Sequence, residues 1–220
     1  MKNEGPFGEF TGYYAGGMSP KPVISVKALY HRDNPIITGT APGRPPFDYS
    51  YYRCPARSAM IWDSLEKAGI PGIKGVWCHE SGYSRGFNVV SIKQMYAGHA
   101  HQVGYIASES RAGAYVGRYT VVVDEDIDPS NIDDVVWAMC SRTDPVEDID
   151  IIRVGWSSPL DPRVHVSGSG KEMGYSNSKA IILACKPYSS ILDGKFPRTA
   201  ESSPEMVEEI LRKWKGKLDE

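Results

Sequence analysis

At 220 residues, with 41% hydrophobic and 24% charged side chains, the chain has the composition of a folded protein rather than a disordered one. A net charge of −2 gives no basic footprint for nucleic acid. The longest apolar runs, VVWAMC (135–140) and AIILAC (180–185), are far short of the roughly 20 residues a membrane-spanning helix needs.

With no membrane span and no basic, apolar leader before the first strand, a cytoplasmic protein is expected. Cys54, Cys78, Cys140 and Cys185 are all at least 24 positions apart, which fits neither a zinc knuckle nor a disulfide framework. They read as buried thiols.

In chain order, the first 46 residues read as β structure. The opening stretch EGPFGEFTGYY (4–14) carries Glu4 and Glu9 around Gly-Pro-Phe-Gly. Pro6 suits the second position of a β-turn and Gly8 the fourth, so a turn over 5–8 would make the two glutamates cross-strand neighbours. Carboxylates about 5 Å apart cannot ionise independently, and such a split suits general acid catalysis. A surface hairpin with two solvated acids is the plain alternative.

Two strands are then expected, PVISVKALYHR (22–32) and PIITGTAPG (35–43), ended by the prolines of GRPP. CPARSAMIWDSLEKAG (54–69) follows as a helix, with Pro55 in its first turn and Gly69 and Pro71 as the stop. From residue 70, strands (87–93, 119–124, 149–154, 179–184) alternate with helices (97–112, 128–141, 203–217). That alternation predicts an α/β layer with some parallel pairing. In the last helix Val207, Ile210, Leu211 and Trp214 share one face.

Other clusters invite functional readings. DEDIDPSNIDD (124–134) lacks the glycine and glutamate of a calcium loop. It reads instead as a helix start with Asp128 as N-cap, Pro129 at the first position, and Asp133 and Asp134 near the positive end of the dipole. GSGKEMG (168–174) fails both the Walker and the dinucleotide patterns and reads as a Gly-rich loop. His99 and His101, two apart on a helix, would point in nearly opposite directions and could not share a metal. His79 and Glu80 fall on a Gly-flanked loop as candidate pocket-lining residues, and Trp77 joins them as a candidate to touch a substrate. No metal ligand is assigned.

EGPFGEFTGYY resembles the active-site strand of the UbiD-like family of aromatic and acrylic acid decarboxylases. The resemblance continues in TGTAPGRPP (38–46), IKQMYAGHAHQV (92–103), VVVDEDIDPSNIDDVVWAMCSRTDP (121–145) and PLDP (159–162), in one collinear order. It implies an α/β fold (α+β overall). Residues 1–53 would be the last strands of a flavin-type split β-barrel and 54–69 a linking helix. An α/β dimerisation domain would span 70–195, and a tail with an amphipathic helix 196–220.

The resemblance also implies prenylated FMN, held with Mn2+ and K+, and reversible non-oxidative decarboxylation of a small carboxylic acid. Glu9 would donate a proton to the carbon that loses CO2, and Glu4 would hold the family's arginine and help relay the proton. In the family that arginine, the metal ligands and most phosphate contacts lie upstream of this motif. An N-terminal half is therefore the expected partner, beside a homodimer or higher homo-oligomer. The rivals are a non-catalytic assembly module dimerising through 70–220 and a metal hydrolase built on His79, Glu80 and His99.

Overall fold

The structure, a computed structural model, describes residues 1–14, 17–166, 174–215 and 217. It divides into two compact units, Met1–Lys186 and Pro187–Glu220. The Gly-rich stretch 168–173 lies outside the described residues.

The first unit is built on a five-stranded sheet. Its strands are β3 (Ile73–Cys78), β4 (Phe87–Ile92), β5 (Tyr119–Asp124), β6 (Ile149–Trp156) and β7 (Ser176–Ala184), in the order β3-β4-β5-β7-β6. The central three run parallel and the two edge strands antiparallel. Parallel strands covered on both faces need apolar residues at every position, and VVS, TVVV and AIILA supply them.

The register sorts those residues into two cores. Val90, Val122 and Leu183 form a row on one face, with Ile61 and Leu65 of α1 (Asp48–Lys67) and Val103 and Ala107 of α2 (His99–Glu109). Val89, Val121 and Ile182 form the opposite row, under Val135 and Ala138 of α4 (Ile132–Arg142). Each fully buried side chain of this size contributes about 1.5–3 kcal/mol. Gly104 lets α2 lie close on the sheet, since a Cβ there would collide with Ile181.

The expected strands at 87–93, 119–124, 149–154 and 179–184 are all present, within a few residues at their ends. Strand β3 was not expected. Gly75 breaks its apolar pattern at a point where a Cβ would meet Pro129, and a bulge sits between Ile73 and Gly75.

Four local expectations are corrected. The linking helix begins at Asp48, not at Cys54, so Pro55 lies inside it and not in its first turn. Pro55 sits on the exposed side, and Ser58 Oγ donates to the Cys54 carbonyl just below it (2.7 Å). Helix α4 begins at Ile132 with Asn131 as N-cap, its side chain accepting the Asp133 N–H. Asp128 instead accepts the Ser130 N–H and hydroxyl in a turn of its own. Of the four thiols Cys54, Cys78 and Cys185 are buried, but Cys140 is exposed.

The fourth correction is the largest. Residues 22–32 and 35–43 form no strand: all but one residue of this stretch is exposed, Ile24 at 88% and Tyr30 at 93%. What precedes it is a short antiparallel pair, β1 (Lys2–Glu4) with β2 (Ser19–Lys21). Between the two main helices and β5 lies a four-residue helix, α3 (Arg111–Ala114), and α5 (Pro162–Val166) precedes β7.

The second unit carries α6 (Tyr188–Leu192) and α7 (Pro204–Trp214), the latter capped by Ser203, whose hydroxyl accepts the Met206 N–H. Val207, Ile210, Leu211 and Trp214 are all exposed along it.

Candidate functional site

The chain reverses direction not at Gly5–Gly8 but at the tip of the hairpin. There Gly12, at φ +85°, takes the left-handed conformation that a side chain would resist. The Glu9 N–H donates to the Tyr13 carbonyl (3.0 Å), the Gly12 N–H donates to the Glu9 carbonyl (2.9 Å), and Gly8 bridges Tyr14.

Glu4, at the end of β1, pairs with Ser19. The two glutamates therefore follow one another along one arm and are not cross-strand neighbours, so the close carboxylate pair expected from a turn at 5–8 does not form. Glu4 is exposed; Glu9 is half-buried and is followed by the buried Phe10 and Thr11.

Phe10 ties this hairpin to the end of the sheet at which the parallel strands begin. Its ring lies 6.1 Å from that of Tyr83, in the connection between β3 and β4. Tyr83 can occupy this place because Gly86 has no side chain: a Cβ there would meet the Tyr83 ring. The other side of that connection opens on a cleft of about 440 Å³ lined by His79, Glu80, Tyr83, Phe87, Arg118 and Tyr119, with Ser130 and Ile132 at the start of α4.

Of the candidate pocket residues, His79 and Glu80 line this cleft, while Trp77 stands behind and donates its indole N–H to Glu80 (3.4 Å). His79 is buried, and its Nε2 lies 2.9 Å from the Pro129 carbonyl. A carbonyl only accepts, so the ring carries its proton on Nε2. Burial lowers the His79 pKa, with the Pro129 bond and the nearby Glu80 and Asp128 opposing, so the imidazole is neutral at neutral pH. No hydrogen bond or ion pair among the described residues joins Glu4 or Glu9 to Trp77, His79 or Glu80.

Arg118 owes its place at the cleft to Asp161, a fully buried carboxylate. Arg118 donates to both its oxygens (2.9 Å each), joined by Ser157 Oγ, Asn177 Nδ2 and the Arg163 N–H. Five hydrogen bonds from four donor groups satisfy one buried charge, the condition under which such a charge is tolerated. This is the structural content of the PLDP stretch, and no sequence pattern announced it.

His99 and His101 separate as their spacing predicts, His99 fully buried and His101 exposed. His99 Nδ1 accepts the Met95 N–H (3.3 Å), and burial lowers its pKa, which makes it a neutral core residue. Burial pushes the Cys78 thiol up to about 12 and Cys54 to about 11, which leaves both unreactive. Among the described residues no three His, Cys, Asp or Glu side chains come together as a metal site.

The chain matches two domains of one family. The C-terminal domain of 3-octaprenyl-4-hydroxybenzoate carboxy-lyase matches residues 50–184, and its Rift-related domain matches residues 1–45. A phenolic acid decarboxylase of Bacillus subtilis (strain 168) is 37% identical over 171 residues, covering 77% of this chain and 35% of the relative.

Among solved structures, the UbiD-class enzyme HmfF from Pelotomaculum thermopropionicum, in complex with FMN, superposes with a TM-score of 0.76 at 27% identity. That match covers 94% of this chain and 42% of the other. An evolved dimeric form of the same enzyme, in complex with prFMN, has a TM-score of 0.69 at 26% identity, covering 94% of this chain and 40% of the other. The chain thus spans 35–42% of the length of these relatives.

Proposed function

The chain belongs to the UbiD family of carboxy-lyases, and from that premise we propose that it carries the acid/base arm and the α/β domain of a non-oxidative decarboxylase of aromatic or α,β-unsaturated carboxylic acids. The observation that carries this reading is the setting of Glu9. The residue is half-buried at the foot of a tight turn, its main chain held by backbone bonds to Tyr13 and Gly12 and followed by the buried Phe10. A general acid needs that combination of a held position and access to a reacting atom.

In the reaction proposed, the bond between the substrate carbon and its carboxyl group breaks, CO2 leaves, and the electron pair stays on the carbon. Glu9 gives that carbon its proton. Glu4, exposed and further along the same arm, returns a proton from solvent and orients a cation beside the substrate.

Prenylated FMN would find no free aromatic face at Phe10, which is itself buried with the Arg85 guanidinium carbon 4.8 Å from its ring, so the described residues would form only an outer wall of its site. When bound it supplies the electron sink for the pair released with CO2. A divalent metal does not fit the described residues, which offer no ligand set, so no step is derived through one.

The exposed apolar stretch 22–43 supports a second element of the reading, that strands from outside this chain complete the barrel. Activity would then require that further polypeptide. Co-expression with it, in cells that make prenylated FMN, is the test, with a phenolic acid as substrate. The Glu9→Gln variant should lose turnover by about 100-fold or more, and Glu4→Gln by less. Undiminished turnover in Glu9→Gln would overturn the assignment.

A second reading, compatible with the first, makes the chain an assembly module that associates with a second copy. It is favoured by the exposed row Val207, Ile210, Leu211 and Trp214 on α7. Light scattering at micromolar concentration should then give a dimer or larger; a monomer counts against it.

A further inference from the structure

Three arginines converge behind Phe10. Arg53 and Arg57 lie one helical turn apart on α1, and Arg85 lies in the connection between β3 and β4. All three are half-buried. None forms an ion pair with any described carboxylate. The one side-chain hydrogen bond they make among the described residues is from Arg57 to the Ala112 carbonyl (2.9 Å). The Nε atoms of Arg57 and Arg85 are buried with no partner. Buried guanidinium donors are ordinarily satisfied, and buried charges ordinarily paired, so two orphaned N–H groups beside three like charges need an explanation.

What holds the cluster is aromatic, not acidic. The Arg85 guanidinium carbon lies 4.8 Å from the ring centroids of both Phe10 and Tyr115, and that of Arg53 lies 3.5 Å from Tyr49 and 6.0 Å from Phe10. Stacking uses the face of a guanidinium and leaves its N–H edge free, the edge that grips carboxylate or phosphate in pairs of parallel bonds. Burial, then the neighbouring positive charges of Arg57 and Arg53, bring the Arg85 pKa down to about 10, which still leaves it charged at neutral pH.

We propose that Arg53, Arg57 and Arg85 form an oxyanion-binding site beside Phe10, built to receive a carboxylate or phosphate group. A bound oxyanion accepts from the free guanidinium edges and neutralises charge that the protein itself leaves uncompensated. A ligand held here lies against the arginines that pack on Phe10, the residue that follows Glu9 in the chain. The assignment of the anion to the substrate or flavin rests on the decarboxylase reading; the existence of the site does not.

The test uses the full 220-residue chain, without cofactor or partner polypeptide. Resonances of the arginine Nε–H groups are followed by NMR during titration with inorganic phosphate, with benzene-1,4-dicarboxylate and with FMN. In at least one arm the Arg57 and Arg85 signals should move saturably, with a Kd of about 1 mM or tighter. Saturation by the dicarboxylate alone identifies a substrate-type carboxylate; saturation by phosphate and FMN identifies a phosphate site.

Arg85→Gln should weaken binding by about tenfold or more, and Arg153→Gln, at an exposed position on β6, should leave it unchanged. If Arg85→Gln does not fold, Arg85→Lys keeps the charge, loses the planar fork, and should still weaken binding measurably. Silence in all three arms, or binding indifferent to Arg85, overturns the proposal. A chain that binds its oxyanion yet gives no decarboxylation when complemented would refute the function and leave the site standing.

Discussion

Two stretches of this chain read alike and end up in opposite circumstances. VISVKALY (23–30) is as rich in strand-forming residues as YTVVVD (119–124), yet Val121, Val122 and Val123 are fully buried in a central strand while Ile24 is 88% exposed and unpaired. Intrinsic preference is the same in both. What differs is partners. Strand β5 has β4 and β7 on its edges and a helix layer over each face. The stretch 22–43 has neither, and a strand's stability comes from cross-strand pairs and burial rather than from its own sequence.

If that contrast is right, damage to the sheet unit should be severe and damage to 22–43 nearly silent in the isolated chain. The largest effect is expected from Asp161→Ala, which removes the acceptor of five hydrogen bonds and leaves Arg118 without its counter-ion. Urea unfolding should show a loss of about 3–5 kcal/mol. Leu65→Ala, which opens a cavity where α1 meets the sheet, should cost about 2–5 kcal/mol by the same measurement.

Acid sensitivity probes the sheet's other end. Burial opposes ionisation of Asp126, but hydrogen bonds from Arg142 and Lys186 outweigh it and hold its carboxyl at about 2. A carboxyl depressed on folding adds stability that is fully present above its unfolded pKa of about 3.9 and lost as pH falls through the folded value. Asp126→Asn should therefore flatten stability between about pH 4 and pH 2. Because Asp126 is partly exposed, the change should stay within about 1 kcal/mol. Smallest of all, Ile24→Ser should alter the stability of the isolated chain by less than about 0.5 kcal/mol. A large loss there would mean the stretch packs against something this account leaves out.

The sheet unit was readable because its strands are short, nearly uninterrupted apolar runs set between amphipathic helices. Strand β3 escaped because Gly75 interrupts its pattern, and that glycine answers to Pro129, 54 residues away in the chain. The N-cap of α4 was misplaced for a similar reason. Asp128-Pro129 is a good helix start locally, but the Pro129 carbonyl is taken by His79.

The site was legible only in part. Glu4 and Glu9 stood out as residues, but the turn that would have paired them lost to Gly12, which takes the left-handed conformation. Arg53 and Arg57 show a helical spacing that proves nothing alone. Arg85 joins them only when the β3–β4 connection folds back on α1, through Phe10, Tyr49 and Tyr115. Convergence of that kind is a property of the tertiary fold.

On the function proposed above, residues 22–43 are strands that pair only with neighbours from another polypeptide, and Glu9 would work inside the barrel so completed. Hydrogen–deuterium exchange of their backbone amides tests this pairing most directly, first in the isolated chain and then with the polypeptide that supplies the remaining strands. Protection of less than about tenfold is expected for 22–43 alone, beside strong protection of β4, β5 and β7, and strong protection of 22–43 once the barrel is complete. Strong protection of 22–43 in the isolated chain, or none gained on completion, would contradict that pairing.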